Sequence, residues 1–345
     1  MIGTFFDKIK SSALGTLSGD TCEIKVAMLG PRRAGKTSML TAMYERFEQS
    51  LLQESIAQEL KIIPDEYTMD VLLKNYKELQ SVITKGGNIS SAILGDSEEH
   101  EYSFAIKNRA QAENGKTLAK IIFKDYPGGW LTSDKDSSDY KKVVSFLQEA
   151  HIVLIAVDTP YLMEENGQYN ELRNIPEHIL TTLKTAWADA ADVPHAVILV
   201  PIKSEKYLQN KVDRDLLEKT VREKYSQLLD YFSTLNKCLV VYSPIQTTGC
   251  IAFSHFVKDD NGGLPSPVFS LPDDPEQRKY MPRDCAQPLR YCLLFAISYY
   301  KNQHLDNWRG KIASFLRLDK NFVDAAEKLA AGCSATILQP LNRNR

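Results

Sequence analysis

"MLGPRRAGKTS", residues 28–38, decides the fold. Gly30, Gly35, Lys36 and Thr37 stand at the spacing G-x-x-x-x-G-K-T, in which glycines let backbone amides turn inward around phosphate oxygens. In such a loop Lys36 reaches the terminal phosphates and the Thr37 hydroxyl ligates magnesium, with Arg33, Ala34 and Ser38 completing the cradle. The residues before it, "EIKVAMLG" (23–30), are apolar and strand-like, and a helix is expected from Lys36 to about Phe47. Strand, glycine loop and helix in that order turn the positive end of the helix toward an anion. Arg32 and Arg33 are the oddity, because small residues are usual at these places.

Outward from the loop, apolar strand-like runs recur at 100–107, 118–124, 151–158, 195–202 and 238–243. Helical sequence near 137–149, 176–190 and 207–235 separates the later ones. Apolar strands alternating with helices predict an α/β fold: a mostly parallel six-stranded sheet flanked by helices, spanning residues 21–302. Residues 50–85 have helical composition and few breakers until "KGGN", which predicts a helical insertion. From 244 to 287 prolines, glycines and aspartates are dense, as in "DDNGGLPSP" and "LPDDPEQ", and a long irregular loop is expected. Leu289, Leu293, Ala296, Ile297 and Tyr300 then fall at helical spacing. Two further helices near 307–318 and 320–331, the second capped by Asp319 and Gly332, would make residues 303–345 a helical C-terminal extension.

Composition narrows the partners. A net charge of −2 argues against a broad basic face, so nucleic acid is not expected. Six scattered cysteines without a CxxC pair fit a reduced cytoplasm rather than a disulfide framework. No stretch approaches the ~20 apolar residues of a membrane span, and no secretory leader is evident. In residues 1–20, Ile2, Phe5, Phe6, Ile9 and Ala13 share one helical face, with Lys8 and Lys10 elsewhere. Residues 1–15 either pack on their own domain or make a peripheral contact with a membrane or a partner.

Three more segments carry chemistry. "IIFKDYPGGW" (121–130) ends a strand in Asp125 and continues as D-x-P-G to Gly128. This resembles the D-x-x-G pattern of Ras-like GTPases, which implies that Asp125 holds magnesium through water and that the Gly128 amide senses the terminal phosphate, although D-x-P-G is also an ordinary turn. "VPIKSEKY" (200–207) ends the fifth strand with Lys203 and Glu205. Ras-like proteins carry N-K-x-D or T-K-x-D at this place, with a carboxylate that accepts hydrogen bonds from the guanine edge, and the resemblance implies the same of Glu205; an exposed charged turn is the alternative. "VYSPIQTTG" (241–249) follows the sixth strand, and Ser243 is its candidate for a base-contacting loop.

These motifs, in this order, resemble the Ras-like class of P-loop GTPases. More narrowly the chain resembles the bacterial double-GTPase type group, where a P-loop, a D-x-P-G segment, a lysine–glutamate base motif and a Q-T-x-G loop recur. The resemblance covers roughly residues 22–300. It implies GTP or GDP with Mg²⁺ as ligands, and a switch controlling a protein effector or co-encoded subunit in bacterial signalling or defence. The alternatives are a nucleotide-locked scaffold without significant turnover, and a P-loop ATPase or kinase.

The chain departs from the Ras-like pattern at the base motif, where Glu205 replaces the usual aspartate and Ile202 the usual Asn or Thr, in the loop after the sixth strand, where only Ser243 matches, and at two places beside the phosphates. The residue after Gly128, where a glutamine orients the attacking water, is Gly129. Arg32 occupies a normally small loop position beside the terminal phosphate. It would supply cationic stabilisation from within the loop, guard the triphosphate state, or pair outward with an acidic side chain. Slow hydrolysis is expected, with Arg32 and Lys36 as the catalytic candidates. The switch threonine that completes the magnesium shell has three candidates, Thr84, Ser90 and Ser91.

Overall fold

A computed structural model describes residues 22–53, 60–85, 98–108, 117–188, 193–259, 262–303 and 328–340. The amphipathic segment at 1–20, Ser90, Ser91 and the expected helix at 307–318 lie outside them. In chain order the main elements are β1 (Cys22–Leu29), α1 (Lys36–Gln53), β2 (Leu60–Pro64), α2 (Glu66–Lys85), β3 (His100–Asn108) and β4 (Thr117–Asp125). Next come α3 (Ser138–Glu149), β5 (Ile152–Asp158), α4 (Pro176–Ala186), β6 (His195–Ile202), α5 (Lys211–Lys224) and α6 (Ser226–Thr234). The chain continues with β7 (Cys238–Tyr242), β8 (Ala252–Val257), β9 (Ser266–Ser270), α7 (Ala286–Gln303) and β10 (Thr336–Gln339).

One sheet organises the molecule, in the order β10-β7-β6-β5-β1-β4-β3-β2. Strands β7, β6, β5, β1 and β4 run parallel. The flanking strands β10, β3 and β2 pair antiparallel to their neighbours. Every residue of β5 and β6 is buried, which is why both read as unbroken apolar runs. Alternation sends Val26, Met28, Leu154 and Ile198 to one face, where Met43 and Phe47 of α1 and Leu289 and Phe295 of α7 cover them. Ala27, Leu29, Val153 and Leu199 go to the other, beneath Leu147 of α3, Ile179 of α4, Leu217 of α5 and Phe232 of α6. Local caps start the helices. Asp65 accepts from the Thr68 amide at 2.8 Å, Ser137 from Tyr140 at 3.2 Å and Asn210 from Asp213 at 3.0 Å.

The sheet has eight strands rather than six, and both additions correct the expectation. The stretch 50–85 is not wholly helical: α1 runs on to Gln53, and "LKIIP" forms edge strand β2 before α2 begins. Pro64 is tolerated there because an edge strand leaves one row of groups unpaired. The C-terminal extension is not wholly helical either. Its described part ends in β10, which joins β7 and is anchored by Gln339 Nε2 donating to the carbonyls of Phe232 (2.9 Å) and Cys238 (3.0 Å). The β-branched pair Thr336 and Ile337 suits a strand. The expected irregular loop at 244–287 contains the hairpin β8–β9, with the glycine- and proline-rich stretch as its connection. The expected helix at 207–235 is two helices, α5 and α6, that meet at Tyr225.

Candidate functional site

The carboxyl ends of β1, β4, β5 and β6 open into a cleft of about 640 Å³. One end is the glycine loop. Gly30 adopts φ +149°, and a Cβ there would lie 2.8 Å from the Ala156 carbonyl oxygen, so the turn requires glycine. Gly35 adopts φ +105°, a conformation that favours glycine, just before α1 starts at Lys36. Lys36 folds back over the loop, 7% exposed, with Nζ 3.4 Å from the Gly30 carbonyl and 3.3 Å from Asp125 Oδ1.

Asp125 ends β4 directly across from His100 at the start of β3. Burial pushes its carboxyl above the ordinary carboxylate range, and Lys36, His100 and the Thr37 hydroxyl pull the other way. A magnesium ion suits this arrangement. Thr37 and Asp125 stand side by side, with Asp125 Oδ1 3.3 Å from Lys36 Nζ, and a divalent cation beside them would favour the charged carboxylate. Two protein oxygens are what magnesium usually takes from a site where phosphates and water supply the rest.

Gly128 is built into the cradle. A Cβ on it would meet the Arg32 nitrogen at 2.2 Å and the Gly30 carbonyl oxygen at 2.7 Å. Gly129 faces open space, with nothing within 4 Å of a Cβ. Arg32 and Arg33 are exposed at the mouth of the cleft, and neither forms an ion pair among the described residues. Arg33 adopts φ +58°, uncommon for a side-chain-bearing residue, and its carbonyl accepts from Arg173 Nη2 at 3.3 Å.

The other end gathers residues far apart in sequence. Glu205 follows β6 and is 3% exposed, so the exposed-turn alternative does not hold. Its Oε1 accepts from the Thr248 amide (2.8 Å), the Thr248 hydroxyl (2.9 Å) and the Gly249 amide (3.2 Å), while Oε2 has no partner among the described residues. Burial pushes this carboxyl up as well, and the bonds from Thr248 and Gly249 oppose it. Gly249, at φ +78°, passes so close to Met281 that a Cβ would sit 1.9 Å from its carbonyl oxygen. Lys203 Nζ lies 2.8 Å from Asp158 Oδ2, and Arg173 binds that same oxygen at 3.1 Å. Asp158 is wholly buried at the end of β5, so this triad fixes the strand ends between the two halves of the cleft.

Arg32, Arg33, Ala34, Gly35, Lys36, Thr37 and Ser38 line the cleft together with Asp125, Gly128, Lys203 and Glu205. Gly30 sits behind the loop, with its carbonyl facing Lys36. Ser243 is misplaced by the sequence reading. It is buried, and its amide extends the ladder onto the Leu199 carbonyl at 2.9 Å. The loop residues that do line the cleft are Thr247 and Thr248 of "QTTG". Thr84, a candidate for the switch threonine, lies on α2 away from the cleft lining, with its hydroxyl on the Gln80 carbonyl at 2.9 Å. Sequence reasoning missed Arg173, the hairpin residue Phe269, and the pair His100 and Tyr67, whose Nδ1 and Oη are 2.7 Å apart. Comparison with protein-family models and with curated proteins gives no match to this chain.

Proposed function

We propose that the chain is a Ras-like, GTP-binding switch with slow hydrolysis. The observation that carries this reading is a single cleft with two chemically distinct ends. A glycine loop with Lys36 and Asp125 3.3 Å apart forms one, and the buried carboxylate of Glu205, one oxygen unpartnered, forms the other. The first suits a magnesium-bound triphosphate. The second suits a base edge bearing N–H donors, which guanine presents and adenine does not present in the same pattern. Strand order supports the class: setting aside the edge strands β2 and β10, the remaining six follow the order of the Ras-like sheet, with β3 its lone antiparallel member.

In this reading the loop amides and Lys36 bind the β- and γ-phosphates, while Thr37 and Asp125 hold the ion. The ion supplies charge neutralisation on the phosphate oxygens. Ser38 Oγ is buried without a partner among the described residues and is available to a phosphate oxygen. Lys203 and Glu205 position the base, and the Thr248 hydroxyl orients the Glu205 carboxylate. Arg32 stands exposed at the rim, free to stabilise charge on the transferred phosphoryl group. With Gly129 in the glutamine's place, no side chain there orders the attacking water. That same observation favours a second reading, a scaffold held in its triphosphate state. An effector or co-encoded subunit, in the cytoplasm or at a membrane surface, is the partner in either reading.

Chromatography of the nucleotide released from the purified, denatured protein tests the first reading. Guanine nucleotide near one equivalent is expected. Adenine nucleotide in its place would favour a P-loop ATPase or kinase.

A further inference from the structure

The hairpin β8–β9 adds nothing to the main sheet, yet it is pinned to the body at several points. Tyr161 Oη donates to the Pro265 carbonyl at 2.7 Å. Phe256 packs on Tyr161 and Tyr169, with ring centroids 4.9 and 5.7 Å apart. Phe253 meets Phe256 at 4.9 Å and Phe269 at 6.1 Å, the latter nearly edge-on at 84°. Lys206, beside Glu205, lies 5.1 Å from the Phe253 ring centroid. These contacts hold the hairpin against the end of the cleft where Glu205 stands.

Phe253 and Phe269 face each other across the hairpin but differ in environment. Phe253 is buried within the aromatic cluster, whereas Phe269 is half-buried and lines the cleft. Lys203 Nζ lies 5.7 Å from the Phe269 centroid, so the ring borders the same space as the lysine before the Glu205 turn. An aromatic wall beside an unpartnered buried carboxylate oxygen is a site for a flat heteroaromatic ring that carries N–H donors on one edge.

We propose that Phe269 is the stacking wall for the base of the bound nucleotide, which makes the β8–β9 hairpin the base-clasping element of the cleft. This rests on the cleft being a guanine-nucleotide site. Stacking contributes affinity whatever the base's edge, because every base has a π-face. Glu205 reads the edge and contributes selectivity. The two residues therefore have separable effects: loss of Phe269 weakens every base-bearing ligand alike, and loss of Glu205 changes which base is preferred.

The test is equilibrium titration of the full chain and its Phe269→Leu and Phe269→Trp variants with GTP, ITP and inorganic tripolyphosphate, and of the wild type and Phe269→Leu with ATP as well. Leucine keeps apolar bulk without a π-face, and tryptophan restores one. Phe269→Leu should weaken GTP and ITP by the same factor, roughly tenfold, with tripolyphosphate unchanged and Phe269→Trp near wild type. Wild-type GTP affinity in Phe269→Leu overturns the proposal, as does an equal loss of all three ligands, which would make the hairpin a general support of the fold. A wild-type chain that binds GTP no better than tripolyphosphate overturns the guanine-site reading and the wall with it. A wild-type chain that prefers ATP, which Phe269→Leu still weakens, overturns the guanine reading alone.

Discussion

The two ends of the cleft are built in opposite ways. The end with the glycine loop is mostly backbone from one continuous stretch, Gly30 to Ser38, closed by Asp125 and Gly128. The end where Glu205 stands is mostly side chain, drawn from the turn after β6, from the loop after β7 and from the hairpin β8–β9. Backbone cradles depend on local geometry, so a few glycines at fixed spacing suffice to form one. Side-chain clasps depend on the tertiary fold bringing distant segments together. The difference predicts that variants at the first end change how tightly any triphosphate binds, whereas variants at the second change which base is accepted.

The largest effect should come from Glu205→Ala. A site that hydrogen-bonds a base edge rejects a ligand lacking the donors by up to ~10⁴-fold. We expect the ratio of GTP to ATP affinity to collapse toward unity in competition titrations. A ratio unchanged from wild type would leave Glu205 as a brace for Thr248 and Gly249 and nothing more. Next is Lys36→Ala. Removing a charge-assisted contact of about 1.5–3 kcal/mol should weaken GTP and ATP together by at least tenfold, with melting temperature preserved. A change in base preference in this variant would blur the division between the two ends.

Gly128→Ala should lower affinity for both nucleotides, because the added methyl falls 2.2 Å from the Arg32 nitrogen and displaces the loop. Calorimetric titration in which this variant matches wild type would show that the loop shifts without cost. The smallest effects concern turnover. Arg32→Ala should reduce single-turnover hydrolysis severalfold with little loss of GTP affinity, whereas a faster rate would make the arginine a guard of the triphosphate state. Gly129→Gln should fold normally, since no atom lies within 4 Å of a Cβ there, and should raise hydrolysis above the wild-type rate. An unchanged rate would mean that the missing glutamine does not limit hydrolysis by this chain.

The same division explains what could be read in the sequence. The core strands were visible because β5 and β6 are covered on both faces and therefore apolar throughout. Strand β2 was hidden because "LKIIP" is short, ends in proline and lies between two helices, so its apolar residues merged with the helical period. The β8–β9 hairpin was masked by its own connection, whose prolines and glycines signalled irregular structure. The alternating pattern of "AFSHFV" was the clue available. At the site, Lys36 and Asp125 were legible from spacing and from the strand that each follows. Thr248 was not, because nothing local joins it to a glutamate 43 residues earlier, and Ser243 was chosen in its place on position after the strand. Arg173 lies outside every motif, and only the fold brings it to the carbonyl of Arg33.

Equilibrium titration of nucleotide-stripped wild-type protein with GTP and with ATP, each with Mg²⁺, tests the central claim most directly. The account predicts GTP binding at least a hundredfold tighter than ATP binding, from a clasp that leaves one buried carboxylate oxygen of Glu205 unpaired when adenine enters. Equal affinities, or no binding of either nucleotide, would contradict it.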